Sequence, residues 1–264
     1  MPSLTSHKHF QDALRLPFCY LCGRQLIDDE DVDRDHLPPK SCFSARDRSI
    51  PLKLPTHRSC NGGHNLIDEQ IGQLVSLKHG RVPPARNQKL AIGFWKLGEE
   101  KRTSAAITNL DIKGAIWRWI RGFHAALYRE PISEEVRHAI QTPFPVAKLT
   151  RTGPELEAIR PQHPAFVEAI KINRAARNLD LIRANNRKMT YEAVWTQFDS
   201  GEWFCIFALD LYAWRDLGDV KNFTPRGCVG MYALSSGTMP ATATPTTKLK
   251  VLIPNYERLD PFGR

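Results

Sequence analysis

Two pairs of metal-ligating residues stand near the start of this chain, Cys19-Tyr-Leu-Cys22 and His57-Arg-Ser-Cys60. Two intervening residues let both side chains of a pair reach one ion, and two such pairs complete the tetrahedron that zinc takes. Gly23 follows the first pair directly, as it often does in a knuckle turn. Cys42 and His64 are rival fourth ligands, but His57 is preferred because its spacing to Cys60 mirrors that of Cys19 to Cys22. Between the pairs lies Asp35-His36, followed by Pro38-Pro39-Lys40. An adjacent carboxylate and imidazole suit metal-assisted hydrolysis. The carboxylate is a hard oxygen ligand for Mg²⁺, and imidazole titrates near neutrality and can take a proton from water. The second pair runs into Cys60-Asn61-Gly-Gly-His64-Asn65. The Asn61 carbonyl oxygen is a candidate second hard ligand, although Asn-Gly is equally a turn signal.

The elements that must position these groups are sparse at first. Pro2 to Leu16 reads as a polar lead with one or two helical turns, and Phe18 to about Leu77 is loop-rich. So short a segment buries little core and needs a staple such as a metal. Gly80 to Arg86, with two prolines, marks a boundary, which divides the chain into residues 1–80 and 81–264. Helical spacing of Ile107, Leu110, Ile116, Ile120, Phe123 and Leu127 predicts a helix or pair of helices over Ser104 to Glu130. A further helix is predicted over Ala165 to Ala184. Val194 to Phe198 and Trp203 to Trp214, separated by Asp199-Ser200-Gly201, read as a hairpin, with a strand at Val229 to Ala233. Thr238 to Thr247 reads as a loose connector. The expected class is α+β.

Composition sets outer bounds. The longest unbroken apolar run, Trp203 to Leu209, is far below the roughly 18 residues of a membrane span, and the N-terminus has no apolar signal core. A cytoplasmic protein with no membrane partner is expected, with its six cysteines as ligands or buried thiols rather than disulfides. The net charge of +9 is uneven: residues 1–80 hold 10 Lys/Arg against 10 Asp/Glu, residues 81–130 hold 10 against 4, and the remainder 17 against 14. A basic segment beside a neutral one suits a polyanion, and residues 81–130, Arg118 and Arg121 among them, are expected to contribute to DNA affinity.

The order of these parts resembles the HNH, or ββα-metal, endonuclease family. The stretch Arg34-Asp-His-Leu-Pro-Pro-Lys-Ser-Cys-Phe43 is similar to a bacterial branch in which acid-His is followed by Pro-Pro-Lys. In that branch the second ligand pair leads into Cys-Asn and an acidic doublet, here Asp68-Glu69. The resemblance covers Cys19 to Glu69. It implies a zinc-stapled ββα-metal domain that hydrolyses phosphodiester bonds in DNA. His36 would be general base, and Asp35 and Asn61 would hold one catalytic Mg²⁺ or another divalent ion. Zinc on Cys19, Cys22, His57 and Cys60 would be structural, and Asn65 could add a contact. His-Cys stands where Cys-Cys is commoner in the family, and Ile50 occupies the position of its central Asn, leaving a backbone carbonyl to orient His36.

Outside the motif, Lys113, Trp117, Arg121, His124 and Tyr128 share a helix face, either a stripe along a phosphate backbone or, preferably, core with charges at its rim. Lys40, Arg46, Arg48 and Arg58 lie near the proposed site in sequence and are candidates to touch phosphate. Cys205 reads as a buried hydrophobe. Two other functions fit the sequence: a non-catalytic zinc-containing nucleic-acid-binding protein, and a nuclease regulated by a ligand-sensing C-terminal region. A homodimer is left open.

Overall fold

The computed structural model describes residues 1–27, 31–78, 87–97, 102–107, 109–141, 147–150, 153–156, 164–212 and 227–246. The expected boundary at 80–86 and the strand end at Trp214 lie outside them. The fold is α+β around a six-stranded sheet, and no helix among the described residues is long and apolar enough to cross a membrane.

The chain opens with β1 (Ser3–Leu4) and α1 (His7–Ala13). The two-stranded β2 (Val32–Leu37) and β3 (Leu52–His57) follow, then α2 (Arg58–Gly62) and α3 (Asn65–Lys78). A second hairpin, β4 (Ile92–Leu97) with β5 (Arg102–Ile107), precedes α4 (Ile112–Tyr128) and β6 (His138–Gln141). A short hairpin, β7 (Ala147–Thr150) with β8 (Gly153–Leu156), leads to α5 (Pro164–Ala175). The chain then forms β9 (Asp180–Ala184), β10 (Met189–Gln197), β11 (Trp203–Leu211) and β12 (Cys228–Tyr232). The large sheet has the order β1-β9-β10-β11-β12-β6, antiparallel except that β1 runs parallel to β9.

Both sheet faces are covered, which is why β11 reads as a nearly continuous apolar run. One face, with Tyr191, Trp195, Cys205 and Phe207, packs on Trp119, Ile120 and Phe123 of α4. The other, with Val194, Phe204, Ile206 and Val229, packs on Phe166, Ala169 and Ile170 of α5. Helix α4 is buried along its whole length from Ala115 to Tyr128, with Arg118, Arg121 and His124 among its buried residues. Its other side meets the ligand-bearing region, since Tyr20, Leu37, Leu52 and Leu54 belong to the same core cluster. Gly122 permits that approach: a Cβ there would meet Leu37 Cδ1 at 2.2 Å.

Several expectations are corrected. The helix over Ser104 to Glu130 is only its second half. Asp111 caps α4 by accepting from Gly114 N at 3.0 Å, and the residues before it pair as β5. The helix over Ala165 to Ala184 ends at Ala175, where Arg177 turns left-handed (φ 54°), and Asp180–Ala184 crosses to the sheet as β9. Thr238 to Thr247 is not a loose connector over its described part: Thr244 bonds to Asp180 through its amide N (3.0 Å) and its hydroxyl, and Thr246 N donates to Trp195 O at 2.7 Å.

Candidate metal centre and active site

The first ligand pair sits on a tight turn. Cys19 N donates to Arg24 O at 2.9 Å, Gly23 N donates to Cys19 O at 2.8 Å, and Gly23 adopts φ 74°, a conformation open to glycine at little cost. The second pair straddles the end of β3 and the start of α2, so that His57 caps the helix on whose first turn Cys60 stands. The ligand atoms of Cys19, Cys22, His57 and Cys60 all lie within 4.8 Å of one another. Cys22 Sγ is 3.4 Å and Cys60 Sγ 4.0 Å from His57 Nδ1, against ligand–ligand spacings of about 3.6 Å in a tetrahedral zinc shell. This Cys3His group can bind a metal ion such as zinc. Burial raises the Cys22 thiol, but hydrogen bonds with Arg24, His57 and Cys19 outweigh it and bring the thiol down to about 6. The Cys60 thiol is pushed up to about 11 by desolvation and by the neighbouring Cys19 and Cys22. Donors that crowd and repel in this way suit a cation at their centre.

The rival ligands lie elsewhere. Cys42 is buried in the hydrophobic core, where desolvation raises its thiol. His64 is half-buried near Arg118 and Asp35, and desolvation lowers its imidazole. Cys205 is buried in β11, as expected, and Cys228 is buried in β12.

Asp35 and His36 neighbour each other on β2, opposite Leu54 and Lys53 of β3. Their environments differ. The Asp35 carboxylate is buried, accepts from Tyr20 Oη at 2.5 Å, and faces Arg118 Nη1 at 3.7 Å. Desolvation raises its carboxyl, opposed by Arg118 and Tyr20. Arg118 also pairs with Asp68 of α3, whose carboxyl desolvation raises to about 6. His36 is brought down to about 4, first by desolvation and then by Lys40 and Lys53, which makes it a neutral imidazole at neutral pH. Its Nε2 is buried without a hydrogen-bond partner among the described residues.

Asn61 donates from Nδ2 to Asp33 Oδ2 at 2.8 Å, which leaves its side-chain Oδ1 as the end of the amide without a partner among the described residues. Its partner carboxylate is thus Asp33, two residues before Asp35; sequence reasoning passed over Asp33, and no spacing rule marks it. Asn65 is exposed at the start of α3. Tyr20 and Arg118 both engage Oδ2 of Asp35, so a divalent ion on this carboxylate would share it with them.

The expected role of Arg118 and Arg121 in binding DNA is overturned by their burial. Both side chains lie in the core, and Arg121 bonds to the carbonyls of Ile132 (3.0 Å) and Leu21. They tie α4 to the ligand-bearing region. Of the rest of the stripe, Lys113 is exposed and the others are core: Trp117 stacks on His138 at 4.0 Å, His124 Nδ1 meets Tyr232 Oη at 2.9 Å, and Tyr128 donates to Asp180 at 2.8 Å. Lys40, Arg46, Arg48 and Arg58 are exposed. Comparison with protein-family models, with curated proteins and with solved structures finds no match for this chain.

Proposed function

We propose that the chain is a metal-dependent endonuclease of the HNH type, hydrolysing phosphodiester bonds in DNA. The observation that carries this reading is His36: a neutral imidazole with an unpartnered ring nitrogen, on the strand whose hairpin partner ends at His57 of the ligand cluster. A base must be unprotonated and unengaged to take a proton from water. The order of a hairpin running directly into a helix through the second ligand pair supports the same reading.

Cys19, Cys22, His57 and Cys60 would hold a structural zinc, whose four protein ligands leave no open position for chemistry. A catalytic divalent ion such as Mg²⁺ would supply charge neutralisation at the scissile phosphate. Asn61 offers it a carbonyl oxygen, and the acid beside that oxygen is Asp33. Asp35, the acid that the family pattern favours, lies under Tyr20 and Arg118. This burial favours a second reading, a zinc-stapled nucleic-acid-binding protein without catalysis.

A plasmid-nicking assay with and without Mg²⁺ separates the two. His36→Ala is expected to lose about 10²–10⁴-fold in rate while keeping zinc content and DNA binding. Asp33→Ala, Asp35→Ala and Asn61→Ala, each titrated with Mg²⁺, identify the ligating carboxylate as the variant that excess metal partly rescues. Wild-type-like nicking by His36→Ala sinks the endonuclease mechanism, and no nicking by any form supports the binding protein.

A further inference from the structure

A pocket of about 530 Å³ opens beside the hairpin, between the loop that follows Lys40 and the turn joining β9 to β10. Arg46, Arg48 and Lys188 line it against one carboxylate, Asp47, which leaves a charge of +2. That carboxylate is already engaged, accepting from Ser44 Oγ at 2.6 Å and Tyr212 Oη at 3.2 Å. We propose that this pocket binds a backbone phosphate of a nucleic-acid strand, and that Lys188 of the C-terminal sheet completes it. The proposal rests on the nucleic-acid part of the reading above and gives the C-terminal region a share in substrate binding.

The loop is preformed. Ser44 N donates to Tyr212 Oη at 2.9 Å, and Arg48 Nε donates to Phe43 O at 3.0 Å. The β9–β10 turn clamps the loop from the other side, with Asn185 N donating to Ile50 O and Asn186 N to Ser49 O, each at 3.2 Å. To do so, Asn185, Asn186 and Arg187 all hold positive φ, at 52°, 56° and 62°. Three consecutive left-handed residues are costly and persist only where surrounding structure imposes them. The clamp delivers Lys188 to a loop that begins just after the Asp35-His36 strand. A strand phosphate needs only the cations and hydroxyls found here. A free nucleotide would need a platform for its base, but the Tyr212 ring is covered by Lys188 Nζ at 5.9 Å and by Phe43 at 5.7 Å.

The test is fluorescence anisotropy of a short labelled DNA duplex on the full-length protein, with Ca²⁺ in place of Mg²⁺ so that affinity is read without turnover. Lys188→Gln is expected to weaken binding about five-fold or more and to flatten the slope of log K against log salt by about one, as loss of one phosphate contact requires. Arg46→Gln/Arg48→Gln should do the same; these side chains are exposed, so this variant reads the pocket even if Lys188→Gln folds poorly. Unchanged affinity and slope in either folded variant overturn the proposal. Tight binding of AMP that Lys188→Gln abolishes would assign the pocket to a free nucleotide and overturn the strand assignment. A wild type that binds through Lys188 yet never nicks a plasmid keeps the pocket and sinks only the endonuclease.

Discussion

Ile50 carries a conflict between residue and backbone. Its φ is 52°, in the left-handed region that a β-branched side chain enters only at a cost of about 1–2 kcal/mol. Its carbonyl accepts from Asn185 N, which helps fix that conformation. Its side chain is 44% exposed, so removing it forfeits little core. Ile50→Asn, the residue the HNH resemblance expects there, should therefore stabilise the protein by about 1 kcal/mol, because Asn tolerates this region. For a chain of this size, that raises Tm by about 2–4 °C in a thermal melt. A lower Tm would mean that the Ile50 side chain makes contacts worth more than the strain.

On the sheet, β10 and β11 place Glu192 and Asp210 as diagonal neighbours on the face that α5 covers. Arg174 of α5 takes Glu192 in a two-point ion pair, and Asp210 keeps one carboxylate oxygen without a partner among the described residues. Desolvation first, and Glu192 second, push the Asp210 carboxyl up to about 6. A carboxyl raised on folding binds more protons in the native state than in the unfolded one, so stability falls as pH rises from about 4 to about 6. Asp210→Asn removes that loss. It should match wild type at pH 4 and exceed it above pH 6, by about 1 kcal/mol after allowance for partial solvent screening. Urea melts across this range check it; a gap that does not grow with pH rules out a raised Asp210 carboxyl in the folded protein.

At the scale of the molecule, the ligand-bearing region shares one core with α4 and the sheet. Gly122 against Leu37, Arg118 between Asp35 and Asp68, and Arg121 on the Leu21 carbonyl all cross that junction. Loss of a structural ion should then weaken the whole chain rather than one end, because metal affinity there is folding free energy. Metal analysis should find one zinc per chain. Cys60→Ser should lose it and lower a single transition in which far-UV dichroism and the sheet tryptophans Trp195 and Trp203 move together. Sheet tryptophans that melt unchanged would show two units with independent stabilities.

What the sequence determined by itself was local chemistry. Two-residue spacing sufficed to pick Cys19, Cys22, His57 and Cys60 out of six cysteines and nine histidines, because short loops restrict where paired side chains can point. The aromatic and β-favouring content of Trp203 to Leu209 likewise marked a strand, and Asp199-Ser200-Gly201 its turn. What depends on long-range packing stayed hidden. The register of β2 against β3 and the crossing of α4 decide that Asp35 lies under Arg118, that Asn61 meets Asp33, and that a basic-looking helix is core. Lys188 reaches the Ser41–Arg48 loop only because a turn some 140 residues further along the chain docks there. Helical periodicity ran on past Ala175 because it reports local spacing alone, and the pairing of Asp180–Ala184 with β10 outweighed it.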